Sequence, residues 1–377
     1  MKYKTIEYKK LSVSVQLSMF DGQGANETHA IIEIRDNRLD AETQFRHLAE
    51  ALRMLQNDLS AAVPVMKRYF VSDAVNQAAL LPKEENTAVS VVQQPPLNGS
   101  KAAVWAYWMS DAVVRPCGAN AVIAERPACK HLFNMQLHDA NGDAFAQTEA
   151  VFQVYGKTLA DRRLSLKDNV IRTWIYVQNV DTRYDAMVKA RQRLFREHGL
   201  TEHTHYLAST GIEGKSPYPE TTVLMDAYAI EGVAPEQITY LKGATHLNPT
   251  HQYGVTFERA TAVNYGDRRH VFVSGTASID NRGEIVFPHN IGKQMERTIE
   301  NIGVLLAEGG CGMQDVAQLI VYLRDTGDYR LVASYLSERF PEIPTVIVWA
   351  PVCRPGWLTE MECVAVKAVE NRDFAAF

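Results

Sequence analysis

The sequence lacks several features that would place it in a specialised class of proteins. It has no uninterrupted apolar run of about 18 residues, so no membrane-spanning helix is expected. Its 22 glycines and 15 prolines among 377 residues are too few for a low-complexity or linker protein. The 39 basic and 44 acidic side chains leave a net charge of −5, which argues against a general nucleic-acid binder. A small anionic substrate is still permitted, because a few arginines suffice to hold it.

Signals for export, disulfides, metals and nucleotide cofactors are also missing. The N-terminal segment has no continuous apolar stretch of the kind found in signal peptides. The five cysteines, an odd number, include no Cys-x-x-Cys pair, so we expect reduced thiols in a cytoplasmic protein. His203 and His205 have no third ligand at a metal-site spacing, and no phosphate loop or dinucleotide fingerprint is visible. We therefore expect no metal and no cofactor.

What the sequence does contain is one order of signals, repeated three times. Each repeat opens with a histidine before an apolar strand. It continues with a glutamine that starts an amphipathic helix, and it returns through a second strand that holds a tyrosine. The histidines, which we expect to be structural, are His29, His131 and His270, and the glutamines are Gln44, Gln147 and Gln294.

Each repeat closes with two more strand-like runs, so the order predicts an α+β fold of mixed sheets with helices on one face. The other sheet face must also be covered. Three units packed about a common axis would cover each other, giving a pseudo-trimer in a single chain that is a monomer or a dimer. Turn-rich segments divide the chain into units 1–115, 116–235 and 236–377.

Residues 268–369 resemble the Rid/YjgF/UK114 family. The segments that carry this resemblance are VFVSGTASID, QMERTIENIGVLLAEGGCGMQDVAQLIVYLRD and LTEMECVAV. The resemblance implies a chorismate-mutase-like α+β fold with a small-molecule site at the interface between units. Rid imine deaminases present an arginine in a Pro-Ala-Arg strand, whereas this strand reads Pro344-Thr345-Val346 and has no arginine.

Residues from about 170 to 366 also resemble the chorismatases, which hydrolyse chorismate and contain Rid-like units. Six segments match in the same order: RTWIYV from Arg172, the helix from Tyr184 to Arg193, which resembles the family's Tyr-x6-Arg helix, ASTGIEG at 208–214, Tyr253 to Ala260, SGTAS from Ser274, and Cys353 to Glu360. The stretch 279–293 after SGTAS is closer to the Rid pattern. The resemblance implies a hydrolase that cleaves the enol-pyruvyl ether of chorismate or a related cyclic acid and releases pyruvate.

Cleavage of such an ether needs one acid with a pKa near neutrality, which delivers a proton to the vinyl carbon. Glu360 is the candidate, because burial in an apolar strand would raise its pKa. Glu362, on the same strand face, is the alternative. The chorismatase resemblance gives Cys353 a role in directing the product, by nucleophilic or steric participation, with Arg354 as the cation that would favour its thiolate.

The remaining candidates would bind the substrate. Arginine side chains are suited to hold carboxylates, since a guanidinium group meets a carboxylate through two hydrogen bonds. A tyrosine hydroxyl could bond the ether oxygen, and the SGT segment offers hydroxyls and backbone N–H groups. The set is Arg172, Tyr253, Arg259, Ser274, Gly275, Thr276 and Arg354. The structural alternatives are ordinary ion pairs for the arginines, a packed aromatic for Tyr253, a small buried side chain for Cys353 and a sheet bulge at Gly275.

Three functions are therefore open. The first is a chorismatase-like hydrolase, which rests on the six ordered segments. The second is a Rid-type enamine or imine deaminase, which rests on the C-terminal unit. The third is a protein that binds a small molecule without turning it over.

Overall fold

The computed structural model describes residues 1–377 and contains three six-stranded sheets that follow one another along the chain. The strands of the first sheet are β1 (Lys2–Tyr8), β2 (Val13–Asp21), β3 (Asn26–Ile34), β4 (Ala62–Val71), β5 (Ala88–Gln93) and β6 (Ala102–Ser110). Its helices are α1 (Ala41–Asp58) and the short α2 (Ala74–Gln77). The spatial order is β1-β2-β3-β6-β4-β5, with β4 and β5 parallel.

The second and third sheets repeat this order. The second has β7 (Val113–Gly118), β8 (Ala121–Glu125), β9 (Lys130–His138), β10 (Val170–Val177), β11 (Ala208–Glu213) and β12 (Val223–Glu231), with helices α3 (Ala144–Ala160), α4 (Leu166–Asn169) and α5 (Val180–Glu197). The third has β13 (Ile238–Leu241), β14 (Ala260–Asn264), β15 (Arg268–Ala277), β16 (Val316–Leu323), β17 (Thr345–Trp349) and β18 (Thr359–Ala368), with helices α6 (Ile291–Glu308) and α7 (Tyr329–Arg339). The prediction of a repeated α+β unit is confirmed.

The proposed unit boundaries can be compared with the ends of the sheets. Residue 115 lies inside β7, because the turn-rich segment VVRPCGAN is the first hairpin of the second sheet. A first boundary between Ser110 and Val113 fits the sheets better. The second boundary, near 235, lies between the second and third sheets. The units remain a proposal, as does the monomeric or dimeric state of the chain.

The three predicted glutamines are buried and play one role in all three units. Each side chain reaches from its helix to the backbone just before the closing strand of its sheet. Gln44 accepts from the N–H of Lys101, Gln147 from that of Thr222, and Gln294 from that of Leu358, at 2.7, 2.8 and 2.9 Å. In the third unit this contact fixes the backbone two residues before Glu360.

The ladders between the fourth and the closing strand of each sheet align the units residue by residue. Each ladder has a bulge near the start of its fourth strand, which gives a common reference point. Four residues after the first pair beyond the bulge, the equivalent pairs are Phe70–Ala103, Tyr176–Leu224 and Tyr322–Glu360. Glu360 therefore corresponds to an alanine and a leucine in the other two units.

The same registers correct one sequence-based equivalence. His131 and His270 occupy matching positions in the second and third units, but the residue at that position in the first unit is Glu27. His29 instead lies opposite Tyr107, and the other two units have a phenylalanine at the position of His29. The three histidines are nevertheless all buried, and His270 lies 2.8 Å from the carboxylate of Glu27.

The inner faces of the three sheets share one hydrophobic core, which contains Trp105 of the first sheet, Trp174 of the second and Phe272 of the third. The outer faces of the first two sheets are covered by their own helices. No helix is long and apolar enough to cross a membrane. Clefts form where neighbouring sheets meet, and the one between the second and third sheets contains most of the predicted site residues.

Candidate active site between the second and third sheets

A cleft of about 490 Å³, partly open to solvent, lies between the second and third sheets. We call it the 2/3 cleft. The second unit contributes side chains from α5 and β11. The third contributes β15, the start of β18, four side chains between residues 253 and 259, and the turn 353–357. Six of the predicted site residues line it: Tyr253, Arg259, Gly275, Cys353, Arg354 and Glu360.

Glu360 is the second residue of β18 and is only 5% exposed. Its backbone pairs with Ala277 on one side and with Tyr322 on the other, so its position is fixed by two ladders. Burial and, to a lesser extent, the nearby carboxylate of Glu362 raise the pKa of Glu360 to about 8, against the opposing effect of Arg172 and Arg259. Near neutral pH the cleft therefore holds a protonated carboxyl group.

Glu362 lies two residues further along the same strand but does not line the 2/3 cleft. One of its oxygens accepts from Arg172 Nη2 at 2.8 Å and from the hydroxyl of Thr210, and the other accepts from Trp174 Nε1 at 2.7 Å. This carboxylate therefore holds the second and third sheets together. Of the two candidate acids, only Glu360 faces the cleft.

The 2/3 cleft also contains three arginines, Arg191, Arg259 and Arg354, and none of them forms an ion pair. Arg191 donates to the hydroxyls of Thr256 at 3.1 Å and Ser209 at 3.4 Å, and its Nη2 has no partner. The guanidinium of Arg259 donates only to Asn248, at 3.0–3.2 Å. Because the guanidinium groups stay charged and Glu360 is protonated, the cleft favours an anionic ligand.

The helix that resembles the chorismatase Tyr-x6-Arg pattern contributes Arg191 rather than Arg193. Tyr184 and Arg191 lie seven residues apart on α5, so they share the helix face that lines the cleft. Arg193 is half exposed and pairs with Glu149. The sequence-based match extended the segment to Arg193, two residues too far. Counting seven residues from Tyr184 identifies Arg191.

Arg172 is buried in the interior and does not line the 2/3 cleft. Its guanidinium lies 5.0 Å from the ring of Trp174 and bonds Glu362. In this structure Arg172 forms an ion pair with Glu362, which is the structural alternative considered for the arginines from the sequence.

The SGT segment forms a bulge in the ladder between β15 and β18, as the structural alternative for Gly275 predicted. The hydroxyl of Ser274 donates to the carbonyl of Glu258, and that of Thr276 donates to the carbonyl of Ser274. The N–H of Gly275 donates to the hydroxyl of Thr210 at 2.9 Å. These groups are thus already bonded, and Gly275 alone lines the cleft.

Cys353 lines the cleft, but its surroundings do not favour the thiolate. Burial, followed by the nearby Glu360, raises the pKa of Cys353 to about 12, and the opposing effect of Arg354 is smaller. Cys353 is therefore a neutral thiol near neutral pH, which leaves steric participation as the simpler of the two predicted roles.

The segment 250–259 covers the 2/3 cleft and was not predicted in detail. It begins with a 3-10 turn, Thr250–Tyr253, and reverses at Gly254, whose φ of 82° suits glycine. Gln192 of α5 donates to the carbonyl of Gly254 at 2.7 Å, and the ring of Tyr253 lies 5.3 Å from the guanidinium of Arg259. The segment also brings Phe257 into the cleft, a contact that no local sequence signal indicates.

Several residues considered from the sequence lie elsewhere. His203 and His205, the two histidines considered there as metal ligands, do not line the 2/3 cleft. His205 stacks on Tyr240. No group of three or more His, Cys, Asp or Glu side chains is arranged to hold a metal ion.

Comparison with known proteins places these observations in a family. The sequence profile of the endoribonuclease L-PSP family matches residues 257–367. A RutC family protein of Pyrococcus abyssi is 39% identical over 100 residues, which cover 26% of this chain and 78% of that protein. The 3-aminoacrylate deaminase RutC of Acinetobacter baylyi is 31% identical over 97 residues, covering 25% of this chain and 77% of the deaminase.

The crystal structure of a chorismatase superposes with a TM-score of 0.65 over 80% of this chain and 92% of the chorismatase. The two sequences are 18% identical, so the likeness is one of fold. The sequence that matches the family profile, residues 257–367, lies in the third unit. The chain belongs to the RutC family, within the Rid/YjgF/UK114 superfamily that its C-terminal unit indicates.

Proposed function

We propose that this protein is a chorismatase-like hydrolase, which cleaves the enol-pyruvyl ether of chorismate or of a related cyclic dicarboxylic acid. The observation that carries the proposal is the pairing of a protonated carboxyl group, Glu360, with three arginines that have no acidic partner in one cleft. Such a substrate has two carboxylates to bind and one carbon to protonate. The cleft offers the groups for both tasks.

In the proposed reaction, Glu360 donates its proton to the methylene carbon of the enol ether. This leaves an oxocarbenium-like carbon beside the new carboxylate, which stabilises it electrostatically. Water adds to that carbon and returns a proton to Glu360. The resulting hemiketal collapses, the bond between the ring oxygen and the former enol carbon breaks, and pyruvate and the ring alcohol leave. One water is consumed and the acid is regenerated.

The three arginines are suited to different parts of the substrate. Arg259 lies close enough to Glu360 to lower its pKa, so we assign it to the enol-pyruvyl carboxylate. Arg191 and Arg354 are assigned to the ring carboxylate. Tyr253, held against Arg259, would bond the ether oxygen or a carboxylate. Cys353 would limit where water or the substrate's own hydroxyl can attack, and so influence the product.

A Rid-type deaminase is the second candidate, favoured by the 31% identity to the 3-aminoacrylate deaminase of Acinetobacter baylyi. Rid imine deaminases use an arginine on the strand that corresponds to β17. The equivalent strand at the 2/3 cleft is β11, which contributes Ser209 and Gly211. Since neither strand has an arginine, a carboxylate in this cleft would be held differently from the Rid pattern.

The proposal is tested by incubating the purified protein with chorismate and detecting pyruvate through a lactate dehydrogenase couple. We expect pyruvate release that is lost in Glu360→Gln while the variant keeps its fold by circular dichroism. The product should then be identified by chromatography. Full activity of Glu360→Gln would exclude it as the acid.

A parallel assay with 2-aminoacrylate or 3-aminoacrylate separates the two candidates. Ammonia release from either compound without pyruvate release from chorismate would favour the deaminase. Saturable binding of chorismate with no product, seen as a rise in melting temperature, would favour a binding protein.

A further inference from the structure

A second cleft lies between the third sheet and the first, and we call it the 3/1 cleft. Its volume is about 840 Å³, part of it open to solvent. From the third unit it is lined by α7, the segment 340–343 that follows it and β17, and from the first unit by side chains of β1, β2 and β3 together with Arg35. The helix α7 and the strand β17 correspond to α5 and β11 of the 2/3 cleft, and β3 corresponds to β15.

The equivalence between the two clefts extends to single residues on the second unit's β11 and the third unit's β17. Gly211 pairs with Ile175, and Ile347 pairs with Val321. Ile175 and Val321 are equivalent, because each comes directly before the aligned tyrosine of its strand, Tyr176 or Tyr322. Gly211 lines the 2/3 cleft and Ile347 lines the 3/1 cleft. The equivalent residues two positions earlier, Ser209 and Thr345, also line the two clefts.

The walls opposite β11 and β17 also correspond residue by residue, but the acidic residue and the alanine have exchanged strands. In the 2/3 cleft the acid Glu360 pairs across the ladder with Ala277. In the 3/1 cleft the position of Glu360 is held by Ala103, and its ladder partner is Glu33. Directly opposed residues of an antiparallel pair lie on one face with neighbouring side chains. The first unit therefore also has a carboxyl group at this ladder pair, but it comes from β3 rather than from the closing strand β6.

Glu33 is 8% exposed and lies in the lining of the 3/1 cleft. Its carboxylate accepts one hydrogen bond, from the side chain of Asn98 at 3.2 Å, and it forms no ion pair. Burial raises the pKa of Glu33 to about 7, and the nearby Arg35 opposes this effect. A cationic group placed in the cleft would give this carboxylate the partner that the protein does not provide.

Arg35 follows Glu33 by two residues, lines the same cleft and corresponds to Ile279 of the 2/3 cleft. Its side chain is about half exposed, donates to Ser14 at 2.9 Å and stands 3.9 Å from Glu7. Two opposite charges are thus presented side by side at one end of the 3/1 cleft. The side chains contributed by α7 are uncharged.

The apolar part of the 3/1 cleft lies on α7 and the segment after it, while Thr5, Gln16 and Thr345 add polar groups to the lining. Leu336 stands seven residues after Tyr329 on α7, the spacing that separates Arg191 from Tyr184 in the 2/3 cleft. The helix arginine of the 2/3 cleft is therefore replaced by a leucine. Phe340 and Ile343 extend this apolar surface.

We propose that the 3/1 cleft binds a small zwitterion with an apolar side chain, namely an α-amino acid such as leucine or phenylalanine. Glu33 accepts hydrogen bonds from the ammonium group, and Arg35 donates to the carboxylate. Leu336, Phe340 and Ile343 cover the side chain. This site is separate from the 2/3 cleft and does not depend on the reaction proposed there.

The remaining junction, between the first and second sheets, does not offer an equivalent space at this position. The residue that corresponds to Ile347 is Val91, and the side chain of Gln136 donates to the carbonyl of Val91 and accepts from its N–H. Gln136 therefore bonds the backbone that a ligand would approach. The 2/3 cleft and the 3/1 cleft therefore both border the third sheet.

The test is isothermal titration calorimetry of the full chain with L-phenylalanine and L-leucine. 3-Phenylpropionate lacks the ammonium group and phenethylamine lacks the carboxylate, so each should bind at least tenfold more weakly than phenylalanine. Glu33→Gln should weaken phenylalanine binding at least tenfold. Glu338→Gln, which changes an exposed carboxylate on α7, is the matched control and should bind as the parent protein does.

A second variant keeps the proposal falsifiable if Glu33→Gln is unstable. Ser337→Trp places a ring at the exposed mouth of the 3/1 cleft and should abolish binding without disturbing the core. Glu360→Gln should bind phenylalanine normally. Unchanged binding in Ser337→Trp, loss of binding in Glu360→Gln, or no binding of either amino acid up to its solubility limit would overturn the proposal.

Discussion

The carboxyl group of Glu360 occupies the space beside Gly275 that a side chain would fill. A β-carbon built on Gly275 would lie 2.0 Å from Oε1 of Glu360 and 3.0 Å from Cγ2 of Thr210. The glycine therefore serves close approach between a strand bulge and an acid on the next strand. The position of the proposed catalytic carboxyl depends on the absence of a side chain at residue 275.

The variant Gly275→Ala should consequently fold but lose turnover. The added methyl group displaces the end of the Glu360 side chain, which is flexible, rather than a backbone atom. A misplaced general acid costs roughly 10²- to 10⁴-fold in rate. Pyruvate release measures the loss. Gly303→Ala, on α6 with nothing within 4 Å of the added carbon, is the control and should keep full activity. Equal activity of the two variants would remove Gly275 from the site.

The raised pKa of Glu360 predicts how activity depends on pH. The proposed acid must be protonated, so kcat/KM for pyruvate release should fall as the pH rises through about 8. The free energy of unfolding should also fall as the pH rises. The folded protein holds a proton at Glu360 that the unfolded chain releases near the ordinary value of 4.5, so the free energy of unfolding decreases as pH rises between 4.5 and about 8.

Glu360→Gln is the control for this dependence. Urea unfolding at a series of pH values should show a smaller decrease in stability for the variant than for the parent protein, because the amide does not titrate. Identical curves would mean that Glu360 has an ordinary pKa in the folded protein, and it would then be a poor proton donor near neutral pH.

Arg191 and Arg193 form a matched pair for testing anion binding, since they lie on different faces of one helix. Arg191→Met should raise KM for chorismate about 10- to 100-fold, the effect of losing one charged hydrogen-bonding partner. Arg193→Met removes half-exposed contacts with Glu149, Glu197 and Phe145, outside the cleft lining, and should leave KM unchanged. Steady-state kinetics of both variants provides the measurement. A similar KM for the two would contradict the role of Arg191.

Cys353 should behave as a protonated thiol. With its pKa raised to about 12, it should resist iodoacetamide at pH 7.5, and peptide mass spectrometry can measure its alkylation. Cys353→Ala should retain pyruvate release but change the ratio of ring products, since the side chain acts by its volume. Rapid alkylation together with complete loss of pyruvate release in Cys353→Ala would indicate a nucleophile instead.

The sequence allowed the repeated fold to be predicted because its signals are local. The glutamines Gln44, Gln147 and Gln294 mark equivalent helix starts, and a helix period or a strand alternation is visible within one segment. The third unit could also be assigned to its family from its own motifs.

The site was less predictable, because it depends on pairing between distant segments. Arg172 and Glu362 are 190 residues apart, and nothing near either residue indicates that they meet. The same holds for Glu33, whose position opposite Ala103 is visible only in the sheet register. The neutral state of Cys353 depends on burial by other units, whereas its sequence neighbour Arg354 indicated the opposite.

Arg172 provides the last prediction, because its sequence-based role and its position lead to different outcomes. Buried beside Glu362, it should contribute to stability: Arg172→Met leaves this interior carboxylate with only the more distant Arg68, 3.9 Å away, at a cost of about 3 kcal/mol in the free energy of unfolding. The double variant Arg172→Met/Glu362→Gln should recover part of this loss, since the unpaired charge is gone. Urea unfolding measures both, and KM measured on the folded fraction should change little. A large rise in KM with unchanged stability would instead establish Arg172 as a substrate ligand, and would require the pair with Glu362 to open when substrate binds.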